Sequence, residues 1–323
     1  MMKESDFIDY CTQKVIHGEK ISLEEAEKLI SISDISKLAE SSNLITTNFN
    51  GESIEIESLV NAKSGNCPED CSFCAQSSFY DTGVTKYPLL SEETIVKKAL
   101  MAERQGADSF CLVCAYRAPP EHDFVKICNI IQRLKQEVKL DINVSLGFMT
   151  LERAKKLKSL GVKRYNHNLE TSESNFTKIC TTHDYSDRIK TAKIVKQAGL
   201  ELCSGGIIGM GETPRDRLEL AFALSALDPD EVPINILVAK KGTPYSEMHS
   251  ITSKDIIRTI AVWRFILPRA ILKLAGGREI HLSDNGKFAL KAGANGIISG
   301  GYLTTDGNKP SEDIKMIQEV GRT

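Results

Sequence analysis

The chain has little of what marks membrane, fibrous or nucleic-acid-binding proteins. Of its 323 residues one is tryptophan, 10 are proline and 6% are aromatic, which excludes proline-rich and collagen-like scaffolds. Its 41 basic and 43 acidic side chains give a formal net charge of −2, so no bulk charge attracts nucleic acid. Its apolar stretches, such as residues 256–267, are interrupted by charge and fall short of the roughly 20 apolar residues that span a bilayer. We expect a globular protein that binds neither nucleic acid nor membrane.

The N-terminus also lacks the apolar segment of a secretory signal. Acidic residues occur early, at Glu4 and Asp6, where a signal peptide would be basic and then apolar. We therefore expect a cytoplasmic protein. The chain has nine cysteines, an odd number, so a complete disulfide framework is not expected. In a reducing compartment, clustered cysteines instead bind metal, react or pack as small apolar side chains.

Short β-rich runs alternate with amphipathic helical patterns from about residue 54 almost to the C-terminus. The predicted strands are 56–62, 109–113, 140–146, 164–169, 201–207, 232–238, 271–275 and 296–299. Helices are predicted between them, at 92–104, 123–137, 151–160, 173–179, 186–198, 215–226, 254–267 and 284–292, and a last one at 311–319. Such alternation predicts an α/β fold, a (β/α)8 barrel of the TIM type, rather than an open doubly wound sheet.

The first 52 residues follow a helical pattern instead of the alternating one. Apolar side chains recur there at helical spacing, and Ser22 followed by Glu25 forms a capping box. We therefore divide the chain into an N-terminal helical extension, residues 1–52, and a barrel with a C-terminal segment, residues 53–323.

Three cysteines follow the first predicted strand in a C-x3-C-x2-C spacing, at Cys67, Cys71 and Cys74. Three thiolates this close suit one metal centre, and thiolates are the ligands that hold iron–sulfur clusters. A four-iron cubane on three cysteines leaves one iron free to bind a small molecule. The alternatives are a zinc ion completed from elsewhere and a set of inert buried thiols, which the polar residues 68–70 disfavour.

Polar residues share one face on several predicted strands. A strand alternates its faces with period two, so Asn166, Asn168 and Glu170 point to the same side of the fourth strand. The same reasoning selects polar or sulfur residues on other strands, namely Ser109, Cys111, Asn143, Ser145, Cys203, Asn235 and Lys273. Inward polar groups are costly unless a partner or a ligand satisfies them. We therefore predict a pocket that is ringed by polar and sulfur ligands.

The three-cysteine loop, placed after the first strand of a barrel, resembles that of the radical S-adenosylmethionine (SAM) superfamily. The resemblance implies that Cys67, Cys71 and Cys74 hold a 4Fe-4S cluster whose open iron is chelated by SAM. Phe73 then lies beside the cluster and the adenine. Reduction of the cluster cleaves SAM to methionine and a 5′-deoxyadenosyl radical.

A closer resemblance, to the biotin synthase family, rests on four segments in the same order. They are NCPEDCSFCAQSS at 66–78, YNHNLETS at 165–172, CSGGIIGMGET at 203–213 and VPINILVAKKGTP at 232–244. This resemblance implies sulfur insertion into dethiobiotin to give biotin, with the sulfur taken from an auxiliary iron–sulfur cluster. It also implies a homodimer and an external reductant such as flavodoxin or ferredoxin.

Site residues follow from the same resemblance. Asn168 and Glu170 are expected to contact SAM, with Glu170 in place of the family's commoner aspartate. Asn166 and Asn235 are expected to contact dethiobiotin, because an amide both donates to and accepts from a ureido ring. Gly205, Gly206 and Ile207 are expected to let the backbone approach SAM closely. The alternative is that the two glycines only mark a tight exit from the strand.

The sequence departs from the family at the auxiliary cluster. Cys111 and Cys203 match two of its three usual cysteines, whereas Asn143 stands at the third and Lys273 at the usual arginine. We predict a cubane-type auxiliary cluster on Cys111, Cys114 and Cys203 that keeps one iron open for sulfide; the alternatives are that the auxiliary cluster is lost and that Cys114 is a spectator. Charged Lys273 is expected to pair with a substrate carboxylate or with the cluster, so Cys111, Cys203 and Lys273 are the predicted sulfur-transfer residues.

Two other functions are consistent with parts of the sequence. One is a radical SAM enzyme for another small substrate, as in hydrogenase maturation, and the other is an iron–sulfur carrier. Asn166 and Asn235 favour dethiobiotin over other substrates. A carrier needs an exposed cluster, and the predicted enclosed pocket argues against one.

Overall fold

The chain, a computed structural model, is described over residues 2–248 and 251–323. Its centre is a parallel sheet of nine strands, in the order β5-β4-β3-β2-β1-β9-β8-β7-β6, and an extra pairing of β5 with β7 closes it into a barrel. The strands are β1 Glu55–Lys63, β2 Ser109–Cys114, β3 Asp141–Ser145, β4 Arg164–Asn166, β5 Glu201–Cys203, β6 Gly206–Ile208, β7 Glu231–Ile236, β8 Ile271–Leu274 and β9 Gly296–Ile298. The prediction of a (β/α)8 barrel is confirmed.

The fifth predicted strand is divided into β5 and β6. Its pairing partner changes there, since β5 continues the ladder from β4 whereas β6 pairs with β7. A side chain at Gly205 would collide with the carbonyl oxygen of Pro233, and one at Gly206 would collide with that of Glu170. The close approach that these glycines allow is therefore to neighbouring backbone of the barrel.

The helices surround the barrel and extend it at the N-terminus. They are α1 Glu4–Ile16, α2 Leu23–Ile30, α3 Ile35–Asn50, α4 Glu92–Arg104, α5 Glu121–Glu137, α6 Leu151–Ser159, α7 Glu173–Phe176, α8 Tyr185–Gln197, α9 Pro214–Leu227, α10 Ser253–Ile266, α11 Arg278–His281, α12 Lys287–Lys291 and α13 Pro310–Glu319. The capping box of Ser22 and Glu25 is confirmed. None of the helices in the described part of the chain is long and apolar enough to cross a membrane.

The N-terminal helices share one apolar core with the barrel. Leu29 and Leu38 of this extension belong to the same buried cluster as Trp263 of α10 and Ile297 of β9. Ser42 of α3 also donates a hydrogen bond to the Ala292 carbonyl (2.8 Å). The extension is thus tied to the barrel by both apolar packing and hydrogen bonds.

Asp216 provides a test of the capping contacts at α9. Its carboxylate accepts from Thr213 N–H (2.8 Å) and from the Ser172 and Ser174 hydroxyls (2.9 and 3.0 Å). Burial raises the pKa of Asp216, but these hydrogen bonds outweigh burial and lower the pKa to about 2. We expect Asp216→Asn to cost about 1 kcal/mol of unfolding free energy near neutral pH. Because a lowered pKa stabilises the folded chain only above the ordinary carboxyl pKa, this cost should shrink as the pH falls from about 4 to 2.

Urea unfolding of the cluster-free chain at a series of pH values measures this cost. Asp81→Asn, at an exposed position, is the matched control and should leave the unfolding free energy within about 0.5 kcal/mol. A cost for Asp216→Asn that stays constant down to pH 2 would contradict the assigned cause.

Candidate active site

One cavity of about 430 Å³ brings most of the predicted site residues together. The loop after β1 forms one end of it, and the barrel interior forms the other. The predicted site residues that line it are Cys67, Cys71, Phe73, Cys74, Cys111, Cys114, Asn166, Asn168, Glu170, Cys203, Ile207 and Asn235. Among the described residues, Lys273 is the predicted site residue outside this lining. The cavity lies where a (β/α)8 barrel carries its reactive groups, at the C-terminal ends of the strands.

The loop after β1 is held in shape by its own backbone. It leaves the strand through Asn66, whose φ of 54° is left-handed. Ser78 N–H donates to the Cys67 carbonyl (2.8 Å), and Cys74 N–H donates to the Cys71 carbonyl (2.9 Å). These bonds close a compact turn that brings all three sulfur-bearing residues to the cavity.

The three loop thiols suit a metal centre. Burial raises the pKa of Cys67, and it raises the pKa of Cys74 to about 11. A hydrogen bond with Cys180, together with burial, raises the pKa of Cys71 as well. A bound metal deprotonates a coordinating thiol and so satisfies such buried groups. The loop therefore fits a 4Fe-4S cluster that is held by Cys67, Cys71 and Cys74. The loop has no fourth cysteine, so one iron would have no cysteine ligand from the loop.

Charged and polar groups lie beside this loop. Asn168 donates to the Glu170 carboxylate (3.4 Å), and burial raises the pKa of Glu170. Arg188 of α8 donates to the backbone carbonyl of Asn168 (2.9 Å) and lies 3.5 Å from the Glu170 carboxylate. Its other terminal nitrogen lies 3.9 Å from the Cys71 sulfur. This end of the cavity thus presents a carboxylate and a guanidinium together, and sequence reasoning did not find the guanidinium.

The interior end of the cavity holds two buried thiols and two amides. Cys203 and Asn166 are register partners on adjacent strands, and Asn166 Nδ2 lies 3.5 Å from the Cys111 sulfur. Burial raises the pKa of both thiols far above the ordinary value. Asn235 accepts from Gly276 N–H (3.1 Å). Asn166 Oδ1 is buried without a hydrogen-bond partner among the described residues, so it is free to bind a ligand.

A buried ionic layer, formed by Glu55, Glu57, Arg164, Glu231 and Lys273, lies next to these thiols. Lys273 Nζ lies 2.5 Å from Glu231, 3.1 Å from Glu57 and 3.5 Å from Glu55. Arg164 pairs with Glu55 (2.7 Å) and with Glu231. Burial raises the pKa of Glu55, but Lys273 and Arg164 outweigh burial and lower that pKa to about 2.

This layer contacts Asn143 and contains Lys273, the two positions where the sequence departs from the family resemblance. Glu57 Oε2 accepts from Asn143 Nδ2 (2.8 Å) and from Lys273 Nζ (3.1 Å). The Lys273 ammonium is paired with protein carboxylates, one of which, Glu57, lines the cavity; its pairing with a substrate carboxylate or with the cluster stays a prediction. Sequence reasoning missed Glu57, although it shares its strand parity with Glu55.

Cys114 lies apart from the two interior thiols. It has the opposite strand parity to Cys111 and joins the outer apolar cluster that contains Leu112 and Tyr165. Burial raises the pKa of Cys114 to about 12. The structure therefore brings Cys111 and Cys203 into the interior and places Cys114 in the outer layer at the cavity border. A role for Cys114 as a cluster ligand stays a prediction.

Comparison with known proteins gives the class. The sequence matches the Radical SAM superfamily over residues 62–224 and the Biotin and Thiamin Synthesis associated domain over residues 233–323. Together with the barrel and its three-cysteine loop, these matches define a radical SAM enzyme.

Close relatives give the family. The chain is 50% identical over 322 residues to a biotin synthase of Nitrosopumilus maritimus, covering 99% of each chain. It is 44% identical over 317 residues to one of Clostridium botulinum, covering 98% of this chain and 99% of the other. The chain belongs to the biotin synthase family, which confirms that prediction over the two alternative functions.

Solved structures of lower identity show the same fold. Methylornithine synthase (PylB) has a TM-score of 0.86 at 19% identity, covering 97% of this chain and 96% of its own. The FeFe-hydrogenase maturase HydG from Carboxydothermus hydrogenoformans has a TM-score of 0.83 at 18% identity, covering 98% of this chain and 78% of its own.

Proposed function

We propose that the two ends of the cavity divide the work of converting dethiobiotin to biotin. The observation that carries this proposal is that one cavity of about 430 Å³ contains the three-cysteine loop, the amides Asn166 and Asn235, and the thiols Cys111 and Cys203. Radical generation then takes place at the loop end and sulfur transfer at the interior end. The substrate lies between them, where both can reach it.

At the loop end, the chain's own residues bind and orient SAM. When bound, the 4Fe-4S cluster supplies the electron that cleaves SAM to a 5′-deoxyadenosyl radical. Arg188 provides a cation for the carboxylate of SAM. The Asn168 amide oxygen and the Glu170 carboxylate provide acceptors for the hydroxyl or amino groups of SAM. Phe73 lines the same end and covers the bound cofactor.

In the middle of the cavity, two amides orient the substrate. The unpartnered Oδ1 of Asn166 accepts from a ureido N–H of dethiobiotin, which satisfies an otherwise costly buried acceptor. Asn235 is held by Gly206 and Gly276 backbone groups (3.3 and 3.1 Å) and so presents its amide in a fixed orientation. This positioning brings the carbons that receive sulfur toward the interior thiols.

At the interior end, Cys111 and Cys203 would hold the auxiliary iron–sulfur cluster, which would supply the sulfur. Asn143 and Lys273 are both bound to Glu57, which supports a ligand set different from three cysteines and one arginine. A cubane-type cluster is the form we propose; Cys114 lies in the outer layer at the cavity border and would have to turn inward to serve as its third thiolate. The homodimer and the flavodoxin or ferredoxin reductant stay predictions from the family resemblance.

Cys203→Ala should separate the two ends of the cavity. We expect SAM cleavage to continue within about twofold of wild type, because the three loop thiols stay intact, while biotin formation falls by at least about 10²-fold. Anaerobic assays that quantify 5′-deoxyadenosine and biotin in the same reaction measure both. Cys128→Ala, at a buried thiol on α5 outside the cavity, is the control and should retain both activities. Normal biotin formation by Cys203→Ala would contradict the role of this thiol.

A further inference from the structure

A second group of ligand-type side chains adjoins the three-cysteine loop. Cys180 and His183 follow α7, and their ligand atoms lie within 4.8 Å of each other and of the Cys71 sulfur. The Cys180 sulfur lies 3.9 Å from the Cys71 sulfur and 3.3 Å from His183 Nδ1. All three side chains are buried. We call this group the Cys71–Cys180–His183 triad.

The two segments that carry the triad are hydrogen-bonded to each other, through backbone groups and through the Asp70 side chain. Ser72 N–H donates to the Ile179 carbonyl (2.8 Å), and the Asp70 carboxylate accepts from Thr181 and Thr182 N–H (2.9 and 3.2 Å). The separation of the two sulfurs is therefore fixed by the fold and does not depend on a flexible side chain alone.

We propose that the triad binds a single divalent transition-metal ion of the zinc class in the chain that lacks its iron–sulfur cluster. Tetrahedral zinc has Zn–S bonds of about 2.3 Å and Zn–N bonds of about 2.0 Å, which separate two sulfurs by roughly 3.8 Å and a sulfur from a nitrogen by roughly 3.5 Å. The observed separations are 3.9 and 3.3 Å. Two of the three separations in the triad thus match tetrahedral spacing, and the third, between Cys71 and His183, lies within 4.8 Å.

The charges around the triad balance such an ion. Binding releases the protons of both thiols, and Glu69 Oε2, which lies 2.5 Å from His183 Nδ1, adds a third negative charge. Asp70 lies 3.2 Å from the Cys180 sulfur, and Arg117 pairs with Glu69 (2.6 Å). With Arg188 also present, two thiolates, two carboxylates, two guanidiniums and one dication sum to zero. His183 then binds through Nδ1, which gives up its hydrogen bond with Glu69, and carries its proton on Nε2; Glu69 keeps its bond from the Thr182 hydroxyl. Arg188 gives up its bond to Nε2 and keeps its bond to the Asn168 carbonyl (2.9 Å).

Metal binding at the triad and cluster binding at the loop exclude each other because both use Cys71. This exclusion rests on the proposed function, since it requires Cys71 to be a cluster ligand. Binding of the single ion does not rest on it. Zinc in the triad would therefore block cluster assembly until it is removed.

Cobalt(II) titration of the full-length, cluster-free chain tests the binding, because thiolate-bound tetrahedral cobalt has strong charge-transfer and d–d absorption. Cys67→Ala/Cys74→Ala is the background, since it removes the loop site and leaves the triad complete. We expect one equivalent to bind there, and adding Cys180→Ala or His183→Gln to weaken binding at least about tenfold. Adding Cys128→Ala instead should change nothing. Circular dichroism shows whether each variant is folded.

Equal cobalt affinity with and without Cys180→Ala, in variants that are folded, would overturn the proposed site. A second measurement tests exclusion: one equivalent of zinc, added to the wild-type chain before anaerobic reconstitution, should lower iron incorporation at the loop, and Cys180→Ala should restore it. If cobalt binds as expected but zinc leaves reconstitution unchanged, the exclusion is wrong and so is the assignment of Cys71 to the cluster.

Discussion

Replacing Cys67, Cys71 and Cys74 together with alanine is expected to abolish SAM cleavage while iron stays bound in the barrel interior. The three thiols act as a unit, so the loss of 5′-deoxyadenosine formation should be at least about 10³-fold. Cys111 and Cys203 belong to the other end of the cavity and remain intact. Anaerobic iron and sulfide analysis, with Mössbauer spectroscopy, reports what is left.

The amount of remaining iron identifies the auxiliary cluster. About four irons per chain would support the cubane type that we propose, and about two would support the family's usual 2Fe-2S cluster. The matched control is Cys11→Ala, at a buried position on α1 far from the cavity, which should keep the full iron content and activity. Complete loss of iron from the triple variant would contradict an auxiliary cluster on the interior thiols.

Lys273→Met is expected to be the most destabilising single substitution in the barrel interior. The variant keeps an unbranched apolar side chain of similar bulk but removes the ammonium that lies within 3.5 Å of Glu55, Glu57 and Glu231. Removing one partner of a buried ionic group leaves its counter-charges unpaired, so we expect a loss of about 3–5 kcal/mol in unfolding free energy. Chemical denaturation of the cluster-free chain measures it.

A second variant tests the cause of that loss. Adding Glu57→Gln to Lys273→Met removes one of the uncompensated carboxylates and should recover about 1–3 kcal/mol relative to the single variant. Lys193→Met, on the exposed face of α8, is the control and should change stability by less than about 0.5 kcal/mol. If Lys273→Met and Lys193→Met cost the same, the ionic layer does not stabilise the barrel.

The barrel could be predicted because each of its elements has a local signature. All eight predicted strands and the surrounding helices occur, and α4 has the predicted bounds at both ends. The division of the fifth strand could not be predicted. It follows from a change of pairing partner between β4 and β7, and periodicity along one strand carries no information about which neighbour it pairs with.

The site could be predicted where strand parity or a motif marks it. The alternation of faces along each strand predicted that Cys111, Asn166, Cys203 and Asn235 share one pocket, and all four line the same cavity. Arg188 was missed because it lies on a helix and meets Cys71 across 117 residues of chain. The partners of Lys273 were missed for the same reason, since Glu57 is 216 residues away.

The shared contact of Asn143 and Lys273 with Glu57 makes these three positions epistatic. Changing Asn143 to cysteine, or Lys273 to arginine, would restore one element of the family's usual ligand set but leave Glu57 with a donor missing or displaced. Either change therefore alters the contacts of Glu57, so a path between the two ligand sets has to accommodate Glu57 as well. An engineer who wants to exchange one ligand set for the other should change these three positions together.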